Sequence, residues 1–134
     1  MDRLELKHKK VKVRDFQDFI VNGESLSELF AERDLVGVIG SFGKELNSQA
    51  ANQLLLSEKS NLKSNRIPIY VCSECGDLDC GAITISITKD DKYFTWDSFG
   101  YENNYEDKLL EEYKTIGPFN FHKEDYINIL RQFV

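Results

Sequence analysis

The chain has 134 residues, 41% of them apolar and 30% charged, with a net charge of −6 and a pI near 4.9. One ordinary globular domain is expected from that length and composition, with enough buried surface to fold without a metal or a disulfide. An acidic balance speaks against direct binding of nucleic acid, which needs a basic surface, and is compatible with a basic protein partner. No apolar run is long enough to span a bilayer, and Met1–His8 lacks the apolar stretch of a signal peptide, so the expected setting is cytoplasmic, with reduced thiols and no membrane partner.

Residues 3–21 are rich in strand formers, and Asn22-Gly23 is a turn signal. Ser25 stands three residues before Glu28, a capping box that predicts a helix over Leu26, Leu29 and Phe30. Residues 36–43, with Gly37, Gly40 and Gly43, read as loop; they lack both the spacing and the ending of a phosphate-binding loop. Asn47 or Ser48 is placed to cap a second helix running through Leu54–Leu56, and 57–66 read as an exposed polar loop.

Ile67, Ile69 and Val71 alternate, as do Ile83, Ile85 and Ile87 with Thr84, Ser86 and Thr88 between them. Residues 93–99 form a third strand-like run, and the two short connections favour an antiparallel meander over about 66–99. A helix is expected over 105–114, a break at Gly117-Pro118, and a last helix from Lys123 with Tyr126, Ile127, Leu130, Phe133 and Val134 on one stripe. The expected fold class is α+β: an antiparallel sheet built from the meander and N-terminal strands, with three to four helices against it.

All three cysteines fall in Cys72-Ser73-Glu74-Cys75-Gly76-Asp77-Leu78-Asp79-Cys80-Gly81. A structural zinc site wants four ligands, so Cys72, Cys75 and Cys80 would need His122, Asp77, Asp79 or water as the fourth. Thiol exchange through Cys72 and Cys75 is disfavoured locally, because Glu74, Asp77 and Asp79 raise a thiol pKa and no lysine or arginine lies between Arg66 and Lys89. The alternative is small buried thiols where two strands meet a tight turn. His122, beside Phe121 and Glu124, has no serine elbow to serve, and Glu111-Glu112 could do acid–base work only if held in a cleft; both read as solvated groups at helix positions.

Charge is segregated. Residues 1–14 carry Arg3, Lys7, Lys9, Lys10, Lys12 and Arg14 against Asp2 and Glu5, and residues 97–112 carry six acids against Lys108. Carboxylates interleaved with tyrosines suit a protein-binding surface, where rings anchor and acids pair with basic groups. The candidate contact residues are Asp97, Tyr101, Glu102, Tyr105, Glu106, Asp107, Glu111 and Glu112.

Three pieces in order, Tyr70–Ala82, Trp96–Glu102 and Gly117–Phe121, resemble a family of small uncharacterised bacterial proteins, some labelled oxidoreductases; no flavin or nicotinamide fingerprint accompanies them here. In size and charge the chain is also similar to immunity proteins of bacterial toxin systems, including contact-dependent growth inhibition. That likeness implies a non-enzymatic binding protein with a cognate basic toxin, such as a nuclease, as its partner, and no cofactor. The competing expectation is a zinc or thiol protein using Cys72, Cys75 and Cys80, and a third is an enzyme acting on a small molecule.

Overall fold

The computed structural model describes residues 1–74, 80–103, 113 and 115–134, and it is an α+β fold with two antiparallel sheets. The first sheet begins with a hairpin of β1 (Leu4–Val11) and β2 (Arg14–Val21), in register from Leu4 opposite Val21 to Val11 opposite Arg14. The turn between them, Lys12-Val13, has no glycine or asparagine to announce it. Lys12 takes a φ of 55°, and its ammonium reaches Asp34 Oδ2 at 2.7 Å. Asn22-Gly23 turns as expected, with φ of 54° and 83°, into the short β3 (Glu24–Ser25).

The expected capping box does not form. Leu26–Arg33 is a 3-10 segment, interrupted at Phe30 by a φ of −117°, and Ser25 makes no side-chain cap bond. The Ser25 hydroxyl donates instead to the buried Asp18 carboxylate. Asp18 also accepts from Ser27 Oγ at 2.9 Å and from Tyr70 Oη at 2.5 Å, and Lys9 Nζ stands 4.0 Å away. A carboxylate this deep must be met by donors, and that need outranks the local cap.

The expected loop at 36–43 is partly strand: β4 (Leu35–Gly37) pairs with β5 (Ile67–Cys72). Gly37 is there for close approach, since a Cβ would stand 2.9 Å from the Phe16 ring. Helix α1 (Lys44–Leu54) starts before Asn47, whose side chain accepts from the Gly40 N–H at 2.8 Å rather than capping the helix.

The meander is present as β5, β6 (Ala82–Lys89) and β7 (Tyr93–Glu102), in a sheet ordered β4-β5-β6-β7-β8. Pro68 has no N–H to give the ladder, and the β5–β6 register slips between Pro68 and Tyr70. The unexpected last strand, β8 (Phe119–His122), follows Gly117-Pro118 and pairs with β7. Helix α2 (Lys123–Leu130) buries Tyr126 and Leu130, continues as a 3-10 turn (Arg131–Phe133), and leaves Val134 exposed. The helix expected over 105–114 lies outside the described residues except at Tyr113.

One hydrophobic cluster spans both sheets. At its centre Trp96 meets Phe19, Phe121 and Tyr126 edge-on, with centroids 5.4, 5.2 and 6.3 Å away. None of the helices among the described residues is long and apolar enough to cross a membrane.

Candidate functional site at the cysteine end of the sheet

Strand register gathers the chemistry-bearing residues at one end of the large sheet. Val71 pairs with Ala82 and Ala82 with Glu102, so the end of β5, the start of β6 and the end of β7 lie side by side. Cys72, Ser73, Cys80, Gly81, Tyr101 and Glu102 therefore share this edge. Cys72 is half-buried and Cys80 exposed; Cys75, Asp77 and Asp79 lie outside the described residues.

The β1–β2 hairpin tip reaches over to this edge. Arg14 Nε donates to Ser73 O at 3.1 Å, Nη1 to Ser41 O at 3.0 Å and Nη2 to Glu74 O at 3.4 Å, while the guanidinium lies 4.2 Å over Phe42. Asp34, bound to Lys12, also accepts from Ser73 Oγ at 3.2 Å. The Asp34 bond, followed at longer range by Glu74 and Cys72, holds the Lys12 pKa above its ordinary value, and Lys12 holds that of Asp34 below its own. Two cations thus stand at the mouth of the cysteine segment. Neither is near it in sequence, so the local argument against a stabilised thiolate is incomplete.

A third cation, Arg33, joins Tyr101 to Tyr113. The Arg33 guanidinium stacks 3.7 Å over the Tyr101 ring, and its Nε donates to Tyr113 Oη at 2.8 Å. Tyr113 Oη donates in turn to Glu32, holding that carboxyl below its usual range, and the Tyr113 ring meets Phe30 edge-on at 4.9 Å. Tyr101 Oη donates to Cys80 O at 3.3 Å. That bond requires the glycine at 81, where φ is +107° and a Cβ would collide with the tyrosine hydroxyl. Tyr101 in β7 and Tyr113, a turn residue, thus both contact the Arg33 guanidinium.

Of the expected contact residues, Asp97 is exposed, with Oδ1 accepting the Ser98 N–H at 2.7 Å. Tyr101 is half-buried on Arg33. Glu102 faces Arg66 at 3.6 Å and accepts from Ser64 Oγ, so its charge is met within the chain. Arg66 also donates to Thr84 Oγ1 at 2.9 Å, Thr84 O at 2.8 Å and Ser98 O, bracing the irregular β6–β7 register. Tyr105, Glu106, Asp107, Glu111 and Glu112 lie outside the described residues.

His122 is not at this edge. It pairs with Tyr93 at the opposite end of β7, roughly 25–30 Å from Glu102 at about 3.3 Å per residue. It is therefore too far to complete a ligand set with Cys72 and Cys80. Among the described residues no group of three or more His, Cys, Asp or Glu side chains is arranged to hold a metal ion.

Lys12, Arg14, Arg33 and Arg66 are the site residues that sequence reading missed. Each is separated from its partners by long stretches of chain, and only strand register brings them in. No family model, no curated protein and no solved structure matches this chain.

Proposed function

We propose that this chain is a cytoplasmic, non-enzymatic binding protein, an immunity or antitoxin protein that neutralises a basic toxin domain, such as a nuclease, by masking its active site. The contact surface is the acidic, tyrosine-bearing stretch 97–112, with Asp97, Tyr101, Glu102, Tyr105, Glu106, Asp107, Glu111 and Glu112 as its contact residues. The observation that supports this reading is that Tyr101 and Tyr113, which flank residues 102–112 in sequence, are both held on the Arg33 side chain. Fixing the ends of a recognition segment lowers the entropy lost on binding. Carboxylates on such a segment pair with toxin lysines and arginines and speed encounter, so the association rate falls as salt rises.

The test is co-expression with basic toxin domains encoded beside the gene, scored by growth protection and by co-purification. Reversing Glu106, Asp107, Glu111 and Glu112 to lysine is expected to abolish protection, and Arg33→Ala to weaken binding without abolishing it. Full protection by the quadruple reversal would refute the surface.

A second reading has its own support. Lys12 and Arg14, beside Cys72, Ser73 and Glu74, favour the thiolate form, in which Cys72, Cys75 and Cys80 would exchange with disulfides or ligate zinc. Elemental analysis of purified protein distinguishes the two: about one equivalent of zinc, lost on Cys72→Ser, favours the metal site.

A further inference from the structure

β1 is an outer strand of the three-stranded sheet, and its free edge follows a definite phase. Val11 and Arg14 close a two-residue hairpin, so the odd-numbered residues of β1 direct their N–H and C=O toward β2. The Asn22 N–H to Arg3 C=O bond of 2.9 Å continues that phase at the far end. The even-numbered residues Asp2, Leu4, Leu6, His8 and Lys10 direct theirs outward.

The first outward position is taken. Asp2 N–H donates to Asn120 O at 3.0 Å, the Asn120 N–H donates to Asp2 Oδ2 at 2.7 Å, and Asp2 forms a single parallel bridge with Phe121. One residue after this strand ends the chain turns into α2, and among the described residues nothing continues the ladder. The space where a strand would continue is a groove of about 760 Å³ between Arg3–Leu6 and α2, lined by apolar Leu4, Leu6 and Ile129 and also by Asp2, Glu5 and Asp125, so that an occupant sets apolar side chains here and keeps its charge beyond the groove.

Past the groove the edge is basic. Lys7 and Lys10 are exposed and make no ion pair among the described residues, whereas Lys9 turns to Ser27 and Lys12 to Asp34. A second copy of β1 laid against this edge would set an excess of positive charge against itself. An acidic strand is attracted to it, and opposite charges facing across strands stabilise pairing.

We infer that the outer edge of β1 is a docking site for an extended acidic segment of a partner protein. The segment adds as a fourth strand of the small sheet, sets apolar side chains into the groove on the Leu4/Leu6 face and brings carboxylates beside Lys7 on the other face, with Lys10 adding its charge at longer range. This surface uses the basic segment 1–14 and does not depend on residues 97–112.

The test is a titration of the ¹⁵N-labelled full chain with the peptide acetyl-(Glu-Val)₄-amide, followed by amide NMR shifts. Saturable shifts are expected at Leu4, Leu6, His8 and Lys10, weakening as salt is added. Binding is expected to fall at least tenfold for the (Lys-Val)₄ peptide and for a (Glu-Val)₄ peptide N-methylated at alternate residues. A chain carrying Lys7→Glu and Lys10→Glu, both on exposed positions, should reverse the preference between the two peptides. No shifts at millimolar peptide, shifts indifferent to peptide charge, or self-association through β1 without peptide would each overturn the assignment.

Discussion

Tyr126→Phe removes one oxygen from the middle of the core and leaves the ring in place. That oxygen accepts the Trp96 indole N–H at 3.0 Å and donates to Leu54 O at 2.6 Å. Trp96, Tyr126 and Leu54 are all fully buried, so the orphaned indole and carbonyl have no water to turn to. Each unpaired buried group costs about 1–3 kcal/mol. The stacking of ring 126 on Phe94, at 4.3 Å, and on Phe121, at 5.8 Å, is kept, so no cavity term is added. The expected loss is about 3 kcal/mol, in the lower half of the range of about 2–6 kcal/mol for two groups. With an unfolding entropy of about 2.1 cal/mol/K per residue, a domain of this size loses roughly 10 °C in Tm. Urea denaturation followed by the fluorescence of Trp96, the chain's single tryptophan, measures it directly. A loss below about 0.5 kcal/mol with an unchanged m-value would refute the reasoning, because unsatisfied buried groups cost more than that.

Burial pushes the phenols of Tyr70 and Tyr126 above their ordinary value, with the Asp18 charge adding to the effect at Tyr70. The folded state therefore keeps protons that the unfolded chain releases near pH 10, so this stability is complete below pH 10 and is lost as pH rises above it. Each tyrosine contributes about 1.4 kcal/mol per pH unit in that window, and urea stabilities from pH 9 to 11 should fall less steeply in Tyr126→Phe. Gly81→Ala combines a φ of +107° with a collision against Tyr101 Oη; a loss of about 1–3 kcal/mol is expected, partly recovered in a Gly81→Ala/Tyr101→Ala double variant, and an unchanged Tm would refute the contact. In an NMR pH titration Asp34 should titrate below the usual carboxylate range and return toward it in Lys12→Ala, because an ammonium bonded to the carboxylate favours its charged form; no change would show that Lys12 is not its partner.

What was legible in the sequence is what local chemistry encodes. Asn22-Gly23 turned because asparagine and glycine accept a positive φ. The alternation at Ile83, Ile85 and Ile87 marked a strand, and the Tyr126/Leu130 spacing marked the buried side of α2. The misreadings share a cause: a distant partner overruled a neighbour. Ser25 forsakes its cap for Asp18, Gly37 yields space to Phe16, and Lys12 bends through a left-handed turn beside Asp34. β8 went unread because Phe119–His122 is too short to show a period and finds its place only on β7. At the candidate site, Tyr101 and the cysteines could be singled out by composition, but the four cations around them could not, since register alone delivers them.

The buried Asp18 has a consequence for how the molecule comes apart. It sits on β2 of the small sheet, while its partner Tyr70 belongs to β5 of the large one. Peeling the hairpin away would take the Asp18 acceptor from the Tyr70 hydroxyl at the same moment that it bared Phe19 and Trp96. The two halves are thereby bound to a common fate: hydrogen exchange at Phe19 and at Tyr70 should proceed through one shared global opening, with no intermediate in which one sheet outlasts the other.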